Sequence, residues 1–220
     1  MKGDRLVIQE GHIKAAYCIT GLLFPLIVES RGKFITTVAG ESGSGKSEVA
    51  AVFAELLFEK KEIESIIIQQ DDYFVYPPKT NAEMRRKDIG HVGIQEVRLE
   101  LLDENLSEIL NGKNEIEKPL VFFDEDRIIK EKVSLEGIKA VIVEGTYTTL
   151  LKNVHQHIFI DRSYVDTRKS RRQRAREKQD EFLEKILEIE HKIISSHKSQ
   201  ADIIIMHDYG VQKNEEKCRE

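Results

Sequence analysis

From residue 33 onward, short continuous apolar runs alternate with longer amphipathic stretches. Residues 33–39 and 65–70 are apolar and rich in β-branched side chains, which predicts two buried strands. Residues 46–59 between them carry apolar side chains at helical spacing and predict an amphipathic helix. The same criteria predict strands at 119–123, 140–143, 157–160 and 201–206, and helices at 96–110 and at 166–196, the latter with a break.

This alternation predicts an α/β fold with three layers, in which a parallel sheet is covered by helices on both faces. Ligands in such folds bind at the carboxyl ends of the strands. Motifs that directly follow a predicted strand are therefore the first candidates for chemistry.

The first 31 residues precede this pattern, and we predict that they form an N-terminal extension. It would contain a short strand at 6–9 and a helix at 12–23 that Pro25 ends. Residues 32–210 are predicted to form one domain and 211–220 a polar tail. A homodimer contact through the extension stays open.

Composition narrows the class of protein. A hydrophobic content of 40% with 33% charged residues is typical of a soluble globular protein. The net charge of −5 argues against a general nucleic-acid binder. The longest apolar run, residues 19–28, is shorter than the roughly 20 residues that cross a bilayer, so no membrane partner is expected. Cys18 and Cys218 form no disulfide framework or metal-ligand spacing, which favours a reducing, cytoplasmic location.

One glycine-rich segment follows the first predicted strand and matches G-x-x-x-x-G-K-[ST], the P-loop or Walker A motif. Lys46 is expected to reach the β- and γ-phosphates of ATP, and the Ser47 hydroxyl to ligate Mg²⁺. A glycine-rich turn that only begins a helix is the alternative. The expected nucleotide-binding residues are Gly40, Glu41, Ser42, Gly43, Ser44, Gly45, Lys46 and Ser47.

The motif predicts a P-loop NTPase fold but leaves the kind of P-loop protein open. GTPases need a guanine-reading N-K-x-D and ABC-type ATPases an L-S-G-G-Q-like signature, and the sequence contains neither. A compact domain of this length with a lid suits a kinase. A nucleotide-binding regulator that acts through a partner or its N-terminal extension is the rival hypothesis.

Four further segments, Q-D-D-Y-F at 70–74, V-E-G at 143–145, D-T-R-K-S-R-R at 166–172 and A-D-I-I-I at 201–205, occur in a recognisable order. Together they resemble the uridine kinase, phosphoribulokinase and nicotinamide riboside kinase group. The resemblance runs from about residue 33 to residue 206. It implies an ATP- and Mg²⁺-dependent kinase that phosphorylates a small-molecule hydroxyl.

The resemblance implies that Asp71 takes the proton of the acceptor hydroxyl, because the first Asp of Q-D-x-F/Y does so in that group. A carboxylate that aligns the nucleophile with the γ-phosphate suits phosphoryl transfer. Asp72 is the second suspect, and an Asp that only caps a turn is the alternative. Glu144, after a predicted strand, is a candidate for Mg²⁺ as well as for the acceptor. The expected acceptor-binding residues are Asp72, Tyr73, Asp124, Arg127, Glu144 and Tyr147.

Arg168, Arg172 and Arg176 recur every four residues and would share one helix face. Like charges at that spacing destabilise an isolated helix, whereas triphosphate oxygens would reverse the sign. We therefore expect a helical, arginine-rich lid at about 162–180 whose three arginines bind the nucleotide, with Arg172 taking part in catalysis. A solvated helix face is the alternative.

The acceptor itself is expected to differ from uridine. Uridine kinases read the nucleoside through two segments, and their counterparts here, residues 91–95 and 122–127, differ substantially from them. Another ribosyl compound, a sugar or a polyol is therefore the expected acceptor, and uridine a poor one.

Overall fold

The computed structural model describes residues 6–168, 171, 180–215 and 217. Its main sheet has six strands in the order β2-β5-β1-β6-β7-β8, of which the first five are parallel and β8 runs antiparallel to β7. These strands are β1 (Phe34–Gly40), β2 (Ser65–Gln69), β5 (Ala140–Gly145), β6 (Gln156–Ile160), β7 (Ile203–Ile205) and β8 (Val211–Lys213). A separate antiparallel hairpin pairs β3 (Glu115–Phe122) with β4 (Arg127–Ser134).

Helices cover both faces of the main sheet. The helices of the described residues are α1 (Glu10–Glu29), α2 (Lys46–Lys61), α3 (Pro78–Lys87), α4 (Leu99–Leu110) and α5 (Glu181–Ser195), of which α3 lies beside the cavity rather than on the sheet. On one face α1 and α2 pack against the strands, and on the other α4 and the end of α5 do so. The predicted three-layer α/β architecture is thereby confirmed, and most of the predicted lid lies outside the described residues.

The N-terminal region differs from the prediction. Residues 6–9 form no strand, and α1 runs from Glu10 through Pro25 to Glu29. A proline inside a helix costs about 3 kcal/mol. Here the buried face of α1 packs on α2 in the main core, and this burial offsets the cost. By length and composition alone α1 is apolar enough to cross a membrane, although 39% of its most apolar 18-residue stretch is buried inside the protein.

Three other elements also differ from expectation. The apolar run at 119–123 belongs to the hairpin rather than to the parallel sheet, because β3 pairs with β4 along its whole length. Part of the predicted polar tail, Val211–Lys213, adds β8 to the sheet edge. Helix α3 was not predicted. The segment 166–196 agrees with the predicted broken helix: residues 168 and 171 are helical, and α5 begins anew at Glu181, where Asp180 accepts a hydrogen bond from the Leu183 amide.

Candidate active site

The P-loop connects the end of β1 to the beginning of α2. Gly43 and Gly45 have φ of 76° and 101°, a left-handed conformation that residues with a β-carbon rarely adopt. No side chain caps the N-terminus of α2, so its first amides can serve an anion. Lys46 folds back, and its Nζ donates to the Glu41 carbonyl at 2.9 Å. The loop has the backbone form that a phosphate site requires.

A cavity of about 400 Å³ opens at the carboxyl ends of the strands. Four P-loop residues line it, together with Asp71 and Glu144 from the ends of the neighbouring strands β2 and β5. The other walls come from α3, from α5 and from the hairpin turn. The lining includes the predicted site residues Ser42, Gly43, Lys46, Ser47, Asp71, Glu144 and Tyr147.

The two consecutive aspartates after β2 point to different places. Asp71 lines the cavity, where burial raises the pKa of its carboxyl group and the nearby Lys46 charge opposes that rise. Asp72 is buried outside this cavity, pairs with Lys118 Nζ at 2.8 Å and accepts a hydrogen bond from the Val121 amide at 3.0 Å. The expectation that Asp72 contacts the acceptor is therefore corrected: Asp72 fastens the hairpin to the sheet.

Glu144 lies at the end of β5, hydrogen bonded to Ser47 and, at 3.2 Å, to the Gln69 amide group. Burial and the neighbouring Asp71 charge raise the pKa of Glu144 to about 7, against the lowering effect of Lys46. The residue after it must be glycine, because a β-carbon at Gly145 would lie 2.3 Å from that of Gln70. The two strand-end motifs therefore interlock, which fixes Asp71 and Glu144 beside each other.

The donor set here fits Mg²⁺. A serine hydroxyl and a carboxylate are hard oxygen ligands, and a cation beside Glu144 would relieve the cost of its buried charge. Within the described part of the chain, no group of three His, Cys, Asp or Glu side chains could hold a metal ion by itself. Ser47 and Glu144 would therefore hold Mg²⁺ together with nucleotide phosphate oxygens, as Mg²⁺ commonly binds in kinases.

An arginine from the start of the predicted lid reaches over the P-loop. Arg171 is buried, lines the cavity and hydrogen bonds to the Tyr164 carbonyl and to Thr167 Oγ1. Its Nε and Nη2 have no hydrogen-bond partner among the described residues, and burial lowers its pKa. Two buried guanidinium donors that face a glycine cradle fit a polyphosphate.

Of the three lid arginines that the sequence singled out, one belongs to the described residues, and it does not line the cavity. Arg168 is exposed and pairs with Glu184 at 3.1 Å, which corrects its assignment to the nucleotide in this conformation. Arg172 and Arg176 lie outside the described residues. Spacing alone could not select Arg171, because the side chain turns inward through its contacts with Thr167 and Tyr164.

Glu41 serves the P-loop through its backbone, while its side chain ties the loop to other elements. Its carboxylate accepts the Tyr164 amide at 2.6 Å and contacts His191 Nδ1 at 2.6 Å. These two contacts connect the phosphate loop to the segment after β6 and to α5.

The other end of the cavity is built around Arg85 of α3. Arg85 binds Glu96 through Nε and, at 3.0 Å, through Nη2, and it binds Glu190 of α5 at 2.9 Å. Asn81 donates to Glu96 at 2.8 Å. The turn of the hairpin positions this helix, because Asp126 accepts hydrogen bonds from the amides at its start. Asn81 and Arg85 thus enter the cavity opposite the P-loop.

Residues 35–207 match the model of the Phosphoribulokinase / Uridine kinase family, which is well over half of the 220 residues. The chain belongs to this family. It is a P-loop kinase, a phosphotransferase with a hydroxyl as acceptor group, and family membership implies ATP as the phosphate donor. The resemblance drawn from the four short motifs is confirmed.

Solved structures of similar fold agree with this assignment. A protein from Bacillus stearothermophilus described as a possible uridine kinase has a TM-score of 0.62 at 15% identity, covering 89% of this chain and 99% of that chain. D-glycerate 3-kinase from Cryptococcus neoformans var. grubii has a TM-score of 0.59 at 14% identity, covering 90% of this chain and 98% of that chain. Phosphoribulokinase from Rhodobacter spheroides has a TM-score of 0.61 at 15% identity, covering 80% of this chain and 71% of that chain. At such identities the likeness establishes the fold, and no curated protein matches the chain in sequence.

Three residues expected at the acceptor lie away from the cavity of this kinase. Tyr73 is fully buried and donates to Asn105 Oδ1 at 2.8 Å, so it holds α4. Asp124 is exposed, and Arg127 is exposed and pairs with Glu125 at 2.7 Å. The hairpin turn instead presents Phe123 to the cavity.

The sequence analysis also missed most residues at the end of the cavity around Arg85. The one local signal was Pro77-Pro78, because proline is favoured at the first turn of a helix and could have indicated the start of α3. In that helix Asn81 and Arg85 are four residues apart and lie on one face. The carboxylates that hold Arg85 are distant along the chain and gave no signal. Residues that line the cavity without having been predicted include Phe74, Tyr76, Asn81, Arg85, Arg86, Phe123, Arg171, Phe182 and Glu190.

Proposed function

We propose that this kinase transfers the γ-phosphate of ATP to a hydroxyl of a small, uncharged, polyhydroxylated acceptor, such as a nucleoside, another riboside, a sugar or a polyol. The observation that carries the proposal is the shared cavity: the half-buried Asp71 side chain lines the same space as Lys46 and Ser47 of the P-loop. One cavity can therefore hold the donor phosphates and the acceptor hydroxyl together.

The proposed chemistry is an in-line displacement. The acceptor hydroxyl gives its proton to Asp71 as its oxygen bonds to the γ-phosphorus, while the bond from that phosphorus to the β,γ-bridging oxygen breaks and ADP leaves. Lys46 and Arg171 would hold phosphate oxygens in place, and Ser47 and Glu144 would hold the metal. Mg²⁺, when bound, neutralises charge on the β- and γ-phosphates. The raised pKa of Asp71 makes it a better proton acceptor than an ordinary carboxylate.

The charge balance at the acceptor end supports an uncharged acceptor. The Arg85 guanidinium already binds two carboxylates, Glu96 and Glu190, which are 0% and 11% exposed. Its neighbour Arg86 pairs with Asp180 at 3.6 Å. A phosphate or carboxylate on the acceptor would meet acids as well as arginines here, whereas hydroxyl groups can hydrogen bond to either.

The test is an acceptor screen that measures ADP formation at fixed Mg-ATP. The panel contains ribosides, sugars and polyols, their monophosphates as charged counterparts, and uridine and cytidine. We expect a neutral member to give the highest kcat/KM, with its monophosphate at least about tenfold worse and uridine a poor acceptor. A monophosphate as the best acceptor would contradict the uncharged class. ADP formation that no acceptor stimulates would favour the nucleotide-binding regulator.

A further inference from the structure

Helix α1 lies outside the residues that match the family model, yet it contributes a side chain to the P-loop. His12, in the first turn of α1, is 5% exposed and packs against Gly45. A β-carbon built on Gly45 would lie 2.7 Å from His12 Nε2 and 2.9 Å from Cδ2. The imidazole thus fills the space next to the glycine that precedes Lys46.

Hydrogen bonds fix the orientation of this ring. His12 Nδ1 accepts from the Gln9 amide at 3.1 Å, so Nε2 carries the proton and lies 2.9 Å from Tyr209 Oη, to which it donates. Tyr209 also contacts the ring edge-on, with ring centroids 5.1 Å apart. The side chain therefore has one defined position under the loop.

Tyr209 extends the connection to the start of the predicted lid. It lies in the turn between β7 and β8, and its hydroxyl accepts a hydrogen bond from Arg162 Nη1. The Arg162 guanidinium also stacks over the Tyr209 ring, 4.7 Å from its centroid. A chain of contacts thus runs from Gly45 through His12 and Tyr209 to the segment that follows β6.

We propose that His12 is a positioning residue for nucleotide binding: its ring holds Gly45, and with it the P-loop amides, in the conformation that receives the phosphates. The reason is geometric. Gly45 has no side chain of its own to anchor it, and its φ of 101° is one among many open to glycine. A fixed ring against its Cα removes those alternatives before the nucleotide arrives, which lowers the entropic cost of binding.

This inference rests on the proposed nucleotide site, so the test measures nucleotide binding rather than turnover. Calorimetry would give the Kd of Mg-ATP for the wild type, His12→Ala and His12→Gln, with thermal unfolding measured for each. Ile19→Ala is the matched control, because Ile19 lies two turns further along α1, is fully buried, and packs in the core rather than on the P-loop.

We expect His12→Ala to raise the Kd of Mg-ATP by about tenfold. His12→Gln should stay within about threefold, because its side-chain amide can still donate to Tyr209. Ile19→Ala should lower the unfolding temperature at least as much as His12→Ala does, with a Kd within about twofold of the wild type. An unchanged Kd in His12→Ala, or an equal rise in Ile19→Ala, overturns the inference.

Two further results distinguish a failure of the nucleotide site from a failure of the positioning role of His12. A wild type that does not bind Mg-ATP refutes the nucleotide site itself, whereas tight wild-type binding with an unaffected His12→Ala refutes only the positioning role. Should His12→Ala fail to fold, Tyr209→Phe carries the test: it keeps the ring and removes the hydroxyl that receives His12. A Kd raised by about threefold would support the role, and an unchanged Kd would overturn it.

Discussion

The two ends of the cavity are built in different ways. The phosphate end comes mainly from one continuous segment, residues 40–47, in which backbone geometry prepares the site. The acceptor end is assembled from side chains far apart in sequence: Arg85 binds Glu96, 11 positions away, and Glu190, 105 positions away. One end is encoded locally, and the other exists only after the chain has folded.

The ends also differ in how their charges are used. At the phosphate end, Arg171 keeps two buried donors without a partner among the described residues, as a site prepared for an anion would. At the acceptor end, Arg85 is already bound by two carboxylates. Changes at the first end should therefore affect transfer and ATP binding, and changes at the second should affect acceptor binding.

The largest effect is expected from Lys46→Ala at the phosphate end. Removing the ammonium group proposed to bind the β- and γ-phosphates should lower kcat by about 10³ or more and weaken ATP binding. ADP release and ATP titration would measure both. Lys113→Ala is the control, since Lys113 is exposed and pairs with Glu108. Wild-type turnover in Lys46→Ala would contradict the kinase site.

The two neighbouring aspartates are expected to differ in role, with Asp71 acting in phosphate transfer and Asp72 stabilising the fold. Asp71→Asn should lower kcat by about 10² while ATP affinity stays nearly unchanged, because the variant loses the base and keeps the shape. Asp72→Asn should leave kcat almost intact and lower the free energy of unfolding by about 1–3 kcal/mol, because the buried Lys118 loses one of its charged partners and keeps Glu131, at 2.7 Å. Steady-state kinetics and urea unfolding of both variants would decide; reversed effects would make Asp72 the base.

At the acceptor end, Arg85→Gln is expected to act on KM. The change leaves Glu96 and Glu190 without their shared cation and should raise the KM of the best acceptor about tenfold, with the KM of ATP within about twofold. The control is Arg98→Gln, which changes an exposed arginine immediately before α4. An equal rise in both KM values would mean that the two ends are not separable.

The smallest effect is expected in the pH dependence of stability, through Glu144 at the phosphate end of the cavity. Because the folded pKa of Glu144 is about 7, above its ordinary 4.5, folded protein binds an extra proton between these values. Its contribution to stability therefore falls as pH rises through that window, on the order of 1–3 kcal/mol. Urea unfolding at pH 5 and pH 8 should show a smaller fall for Glu144→Gln than for the wild type. Parallel pH curves would show that Glu144 is not so perturbed.

The sequence alone determined the class of fold, the position of the P-loop and the family resemblance. Each depends on local information: continuous apolar runs, period-3.6 hydrophobic patterns, glycines at fixed spacing, and acids directly after strands. It also placed Asp71 and Glu144 at the carboxyl ends of two strands of the parallel sheet, where ligands bind in such folds. Those inferences needed only the order of elements.

Tertiary structure decided the rest. Whether Asp71 or Asp72 faces the cavity depends on Lys118 and Val121 of the hairpin, nearly 50 positions away. Pro25 does not end α1, because packing against α2 outweighs a local preference. The acceptor end, and the contact of His12 with Gly45, depend on pairs of residues whose separation along the chain carries no pattern, so only the folded chain brings them together.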